Sequence, residues 1–277
     1  MYIILNSFLS GKNTEGVSEN KSYKLDKAKL YWTIGIAVVG IIAAAAVMRK
    51  KRNEVKEIKV EINHLSDGEN DFIKEKDIKE IIRRSFDENV AEQRLGQLDV
   101  QRVEKVLEQD PFIQNAETYV DIAGNLNIKI TQREPICRII DNNGLNYYLD
   151  KNGVKMPPSK YFSARVPIVT GAIPPHIPDF LTKKNHGLRN VYILLDYFNN
   201  DAFYKIFIQQ IHMDASGEFT LIPILGDQKL RIGTIDDLDD KMKRLKIFYE
   251  EAMPYEGWKK YNSISVKYRG QIVCKKR

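Results

Sequence analysis

Cysteine is scarce in this 277-residue chain: two residues, Cys137 and Cys274, stand far apart. They form neither a CxxC pair nor a metal-ligand spacing, which excludes a dithiol redox motif and a zinc knuckle. Each lies in an apolar run, ICRII or QIVC, and reads as a small hydrophobe packed in a sheet. A disulfide between them stays open if the body is extracytoplasmic and the two strands are neighbours. Histidine is equally sparse, and His64, His176, His186 and His212 have no HExxH or HxE pattern around them. GxSxG elbows, Walker loops and GxGxxG turns are missing, so acyl transfer and nucleotide binding lack their usual frameworks. The acidic cluster Asp236, Asp237, Asp239 and Asp240 lacks the alternating ligands and closing Glu of a calcium loop. It reads instead as charge capping a helix N-terminus. Arg133 and Glu134, before Pro135, read as surface charges at a domain junction. No catalytic, cofactor-binding or metal-binding residue is therefore assigned, and the chain reads as a non-enzyme that needs no cofactor.

What is abundant is one apolar run. Leu30–Met48, LYWTIGIAVVGIIAAAAVM, holds no charge. At about 1.5 Å per helical residue it reaches roughly 28 Å, close to a bilayer's hydrocarbon thickness. A buried core helix would need a polar face, which the run lacks. A cleaved signal would be shorter, and the basic residues following Ala44-x-Ala46 are the wrong context for its cleavage site. A retained transmembrane helix is expected over 30–48. Tyr31 and Trp32 suit the interfacial aromatic belt, and Arg49, Lys50, Lys51 and Arg52 suit the headgroups beyond the other end. Lysines precede the run as well, at Lys21, Lys24, Lys27 and Lys29, so charge alone does not fix the orientation.

The net charge of +6 gathers largely in that basic cluster. Elsewhere the charges mix, as in KEKDIKEIIRR, without the basic stripe and interleaved aromatics of a nucleic-acid surface. Membrane lipid is an expected partner; nucleic acid and a small-molecule substrate are not.

Around this helix the chain divides into a flexible tail (1–29), a basic linker (49–56) and a body long enough for two small domains. Glu57–Asn63 alternates as a half-buried strand, with Ile58, Val60 and Ile62 on one face. Helices follow over Glu75–Phe86 and over Asp99–Gln109, the second capped by Asp99 and stopped at Asp110-Pro111. Two strands then flank the Ala123-Gly124-Asn125 turn, with Ala116, Val120 and Ile122 sharing one parity and Leu126, Ile128 and Ile130 another. This strand-helix-helix-strand-strand order closes a three-stranded sheet covered on one face by two helices. Beyond Arg133 the pattern turns β-rich, with candidate strands at Ile136–Asp141, Asn146–Leu149, Val166–Thr170, Ile206–Met213, Glu218–Leu225, Lys229–Ile232 and Asn262–Cys274. Two helices interrupt it, near Arg189–Phe198 and over Asp236–Met253. The fold class is α+β. The terminal strand, with Gly270 as a turn or bulge, is a candidate sheet edge able to accept another chain's strand.

Residues 57–134 resemble a POTRA domain, most specifically in LEQDPFIQNAETYVDIAGNLNIKITQREP (Leu107–Pro135). That stretch is similar to the end of the domain in the bacterial cell-division family FtsQ/DivIB. Tyr147-Tyr148-Leu149-Asp150 with Gly153, and Val166-Pro167-Ile168-Val169-Thr170-Gly171, resemble the opening of the family's β domain, here 135–277. The resemblance implies a single-pass protein of the inner (cytoplasmic) membrane, with its N-terminus cytoplasmic, its body periplasmic or extracytoplasmic, and enrichment at the division septum. It implies a non-enzymatic divisome scaffold and FtsB/FtsL-like single-helix partners. It also implies a mainly antiparallel β domain with two helices, whose terminal strand accepts the FtsB-like partner by strand addition, through Tyr268, Arg269, Gln271 and Val273, with Ser265 and Lys267 beside them. The alternative is a POTRA-containing component of a polypeptide-transport or outer-membrane assembly system, which would normally carry several such units.

Overall fold

A computed structural model describes residues 27–52, 54–65, 68, 70–86 and 97–277, with the side chains of 27–30 and 49–52 outside that set. The expected tail up to residue 26 lies outside the described residues. The chain divides into two compact units, residues 1–50 and 51–277. In the first, α1 (Lys27–Arg52) is a single helix, and its stretch Tyr31–Met48 has a mean hydropathy of 2.1 and no buried residue. It is apolar on all sides and long enough to cross a membrane.

The second unit holds two sheets. The smaller joins β1 (Ile58–Asn63), β2 (Ile113–Val120) and β3 (Leu126–Gln132) in the order β1-β3-β2. β1 runs parallel to β3, while β2 runs antiparallel to it. Helices α2 (Glu75–Ser85) and α3 (Val100–Glu108) cover one face because their apolar positions recur at helical spacing. Ile78, Ile82, Val103 and Leu107 thereby meet Ile113, Leu126, Ile128 and Ile130 in one core. Asp99 accepts from the Arg102 amide at 3.1 Å, capping α3 as expected. Val55, which the sequence places in the linker, is buried in the same core. Ile122 is corrected: it sits in the β2–β3 turn, 94 % exposed, while Ala116 alone of its expected set is fully inside.

The larger sheet has nine strands in the order β12-β11-β10-β9-β8-β7-β4-β5-β6. They are β4 (Pro135–Asp141), β5 (Asn146–Asp150), β6 (Lys155–Met156), β7 (Ile168–Gly171), β8 (Ile208–Met213), β9 (Phe219–Pro223), β10 (Lys229–Gly233), β11 (Tyr261–Ser265) and β12 (Val273–Lys276). Pairing is mixed, since β4–β7, β7–β8 and β10–β11 are parallel and the rest antiparallel. Helices α4 (Gly187–Asn200) and α6 (Leu238–Ile247) pack Val191, Leu194, Leu195, Met242 and Leu245 on one face of it. α6 continues through a π-helical turn (Phe248–Ala252) into α7 (Met253–Glu256).

Several expectations change here. Residues Ile206 and Phe207 belong not to a strand but to a short helix, α5 (Ala202–Phe207), begun by Asp201, whose carboxylate accepts from the Phe203 and Tyr204 amides. Within the expected terminal strand Asn262–Cys274, Gly270 is the turn rather than a bulge: it takes a positive φ of 67° and the Gln271 amide bonds back to the Tyr268 carbonyl, so the segment is a hairpin. The acidic cluster makes no side-chain cap on α6. Asp236 accepts from the Thr234 hydroxyl, Asp237 pairs with Arg269 and Asp240 pairs with Arg244. Cys137 and Cys274 are both free, and their strands β4 and β12 are six positions apart in the sheet. At about 4.8 Å per strand that is roughly 29 Å, well beyond disulfide reach.

Arg133 is not a surface charge. Its side chain is 12 % exposed and ion-pairs with Asp150, 1 % exposed, at 2.8 Å. It also donates to the Ile113 carbonyl at 2.9 Å, so one guanidinium ties β2 of the small sheet to β5 of the large one. Phe72 reinforces the junction, lying 5.7 Å from Phe112, 5.6 Å from Tyr148 and 5.4 Å from Phe162 between ring centroids. The link between β6 and β7 also reaches across: Ser159 donates to the Phe72 carbonyl, and Lys160 and Tyr161 both donate to Asp77 at 3.0 Å.

Candidate functional site

Alternation decides what faces where at the end of the large sheet. Ile264 and Val266 are fully buried toward the helices, which leaves Ser263 and Ser265 on the opposite face. After the Lys267–Ile272 connection the chain returns as β12, placing Val273 opposite Ser265 and Cys274 opposite Ile264. Val273 and Lys275 thus share the helix-free face with the serines, while Cys274 packs toward the core. Arg244 of α6 holds the hairpin down, donating to the Val266 carbonyl at 3.2 Å and to the Gln271 carbonyl. Its own Nε is anchored on Asp240 at 3.0 Å.

On the helix-free face lies a groove of about 800 Å³, lined among others by His212, Thr220, Arg231, Ser265, Tyr268 and Lys275. Its charges are uneven. Lys267 pairs with Glu218, and the hydrogen bond it donates to that carboxylate raises the ammonium above its ordinary value. The Ser216 hydroxyl and the Glu218 amide hold Asp214 below the usual carboxylate range. Lys229, Arg231 and Lys275 are left as cations along the groove with no ion pair among the described residues. No group of three His, Cys, Asp or Glu among the described residues could hold a metal.

The edge itself is bare. β12 ends the sheet, and no side chain among the described residues bonds the backbone of Val273–Lys276. Its outward amides and carbonyls form a template for one further strand. At the sheet's other end β6 is two residues long, which limits what could pair there.

The expected partner residues fall in three places. Ser265 ends β11 and Val273 begins β12, directly opposite one another and both lining the groove. Lys267, Tyr268, Arg269 and Gln271 lie in the connection between the strands rather than on a strand. Of these, Tyr268 is 56 % exposed at the groove rim. Arg269 is turned toward Asp237 at 3.2 Å, and the Gln271 amide is consumed within the turn. Sequence reasoning missed Lys275 and Lys276 on the edge and Lys229 and Arg231 in the groove. The alternation KLRIG, with Leu230 and Ile232 inward, carries the signal for the last two. In the first unit, Tyr31 and Trp32 are 72 % and 75 % exposed on α1, and Arg49, Lys50, Lys51 and Arg52 close the same helix.

Comparison with known proteins agrees with this architecture. A family model described as FtsQ/DivIB, C-terminal related, matches residues 134–275, just over half of the chain, and one for a POTRA-like domain matches 55–131. The chain is 26% identical over 170 residues to the cell division protein FtsQ of Rhodothermus marinus (strain ATCC 43812 / DSM 4252 / R-10). That match takes in 60% of this chain and 61% of the relative, so the chain spans about six-tenths of that relative's length. With one apolar helix that fits a single-pass membrane protein, a POTRA-like unit and a nine-stranded mixed sheet matched over nearly its whole length, the chain belongs to the FtsQ/DivIB family.

Proposed function

We propose that this protein is a membrane-anchored, non-enzymatic scaffold of bacterial cell division that captures an FtsB/FtsL-like single-helix partner by adding the partner's strand to β12. The observation carrying this reading is the open outer edge of β12 beside a cationic groove. Backbone pairing at the edge supplies affinity, and the alternate side chains Val273 and Lys275 supply register. Lys229, Arg231 and Lys275 favour an acidic segment next to the added strand, which makes capture weaken as salt rises. The division of labour is one POTRA-like unit over 57–134 and one β unit over 135–277. The body lies outside the cytoplasm at the septum, with the N-terminus inside.

The groove is what favours β12 over β1, an outer strand of the small sheet. The test uses full-length protein in detergent and an immobilised FtsB-like segment. Val273→Glu puts a carboxylate on the added strand's side of the sheet and Tyr268→Ala strips the groove rim, so both variants retain less protein than wild type while melting at the wild-type temperature. Wild-type retention by both would reject the edge assignment.

A further inference from the structure

We propose that Glu104 and Glu108 seal the outer edge of β2 against strand addition. β2 ends the small sheet, so its outward amides are in the same position as those of β12. They are not bare. Glu104 accepts from the Thr118 amide at 2.7 Å, and Glu108 accepts from the Ala116 amide at 3.4 Å. The inward side of the same strand is occupied by β3, where Ala116 faces Ile130 and Thr118 faces Ile128.

The match is geometric. Residues four apart on a helix rise about 6.0 Å, and residues two apart on a strand advance about 6.8 Å. With α3 lying along β2, carboxylates at positions 104 and 108 therefore meet successive outward amides of the strand. The spacing difference falls at the Glu108 end, where the contact is longer. An ionised carboxylate is a stronger acceptor than the carbonyl of an incoming strand, so each amide already has its better partner. A helix covering a sheet edge is one way that soluble proteins avoid edge-to-edge pairing. Here the cover is chemical as well as steric, because both acceptors come from one face of α3.

The inference rests on the reading of β12 as acceptor only for where an added strand goes instead. An unsealed β2 offers eight residues, Ile113–Val120, and the complementary strand present in every preparation is β2 of a second copy. Two such edges meet antiparallel about a two-fold axis and satisfy each other.

The test compares wild type, Glu104→Ala/Glu108→Ala and Glu104→Gln/Glu108→Gln as full chains in density-matched detergent. Alanine keeps α3 helical and removes both acceptors, whereas glutamine keeps an acceptor oxygen without the charge. At a protein concentration low enough to keep every variant monomeric, amide exchange at Ala116 and Thr118 should be about tenfold faster in the alanine variant, which at higher concentration should sediment as a larger species than wild type. The glutamine variant, with a neutral acceptor no stronger than a strand carbonyl, should fall between the two in both. Wild-type exchange in the alanine variant overturns the seal, as does faster exchange without self-association, or a glutamine variant that behaves like alanine. Capture of the FtsB-like segment is scored separately: its failure in wild type bears on β12 and leaves the β2 result readable.

Discussion

The Arg133 guanidinium donates to Asp150 at 2.8 Å and to the Ile113 carbonyl at 2.9 Å from a nearly solvent-free position. Asp150 in turn accepts from the Asn152 and Val154 amides through its other carboxylate oxygen. Removing the arginine leaves that charge buried without its partner. Arg133→Ala should therefore destabilise the body by about 3–5 kcal/mol, measured by urea unfolding of the full chain in detergent. A loss within the range of surface substitutions, about 0.5 kcal/mol, would mean that Asp150 finds water instead. From the sequence, Arg133 and Glu134 look alike, two charges before a proline. What separates them is a residue 17 positions away on β5, which pattern reading does not connect. The same limit explains Phe72, whose aromatic partners come from three distant stretches.

At the level of elements, periodicity carried the small sheet and the major helices, since α2, α3, α4 and α6 each show an apolar stripe at helical spacing. SISVKYRGQIVC alternates on both sides of Gly270, which reads as a turn or bulge, and the backbone reversal there divides it into β11 and β12. Periodicity failed at Ile206 and Phe207, where an Asp201 cap winds the aromatic-rich Ala202–Phe207 into a helix before β8. The Pro157–Val166 link is an element of a different kind, irregular in backbone yet bonded across to α2. Burial alone would raise the Asp77 carboxyl, but hydrogen bonds from Tyr161, Lys160 and the Lys74 amide outweigh it and leave the group below its ordinary 3.8. A carboxyl lowered on folding stabilises above its unfolded value and stops doing so as pH falls through the folded one. Wild type should accordingly be more stable than Asp77→Asn at pH 6, with the gap closing as pH drops below 3.8. A gap independent of pH would show that shape, rather than charge, holds the link to α2.

For the whole molecule, the apolar run and the order of the two folded units were legible because each depends on local composition or on strings of neighbouring residues. The groove beside β12 was not legible: the residues that line it come from β8 to β12 and are assembled by sheet order, which no single stretch encodes. The molecule has a helix able to span a bilayer, a body whose two sheets are joined by Arg133, Phe72 and Asp77, and, at β12, a bare edge flanked by cations. Glu104 and Glu108 of α3 bond the outward amides of β2, whereas no side chain among the described residues bonds the backbone of β12. The most direct measurement is amide exchange across the full chain in detergent, with and without a saturating FtsB-like segment. Strand addition predicts slower exchange at the outward amides of Val273–Lys276 and unchanged exchange at Ala116 and Thr118. A bound segment that leaves Val273–Lys276 exchanging at the unbound rate would contradict it.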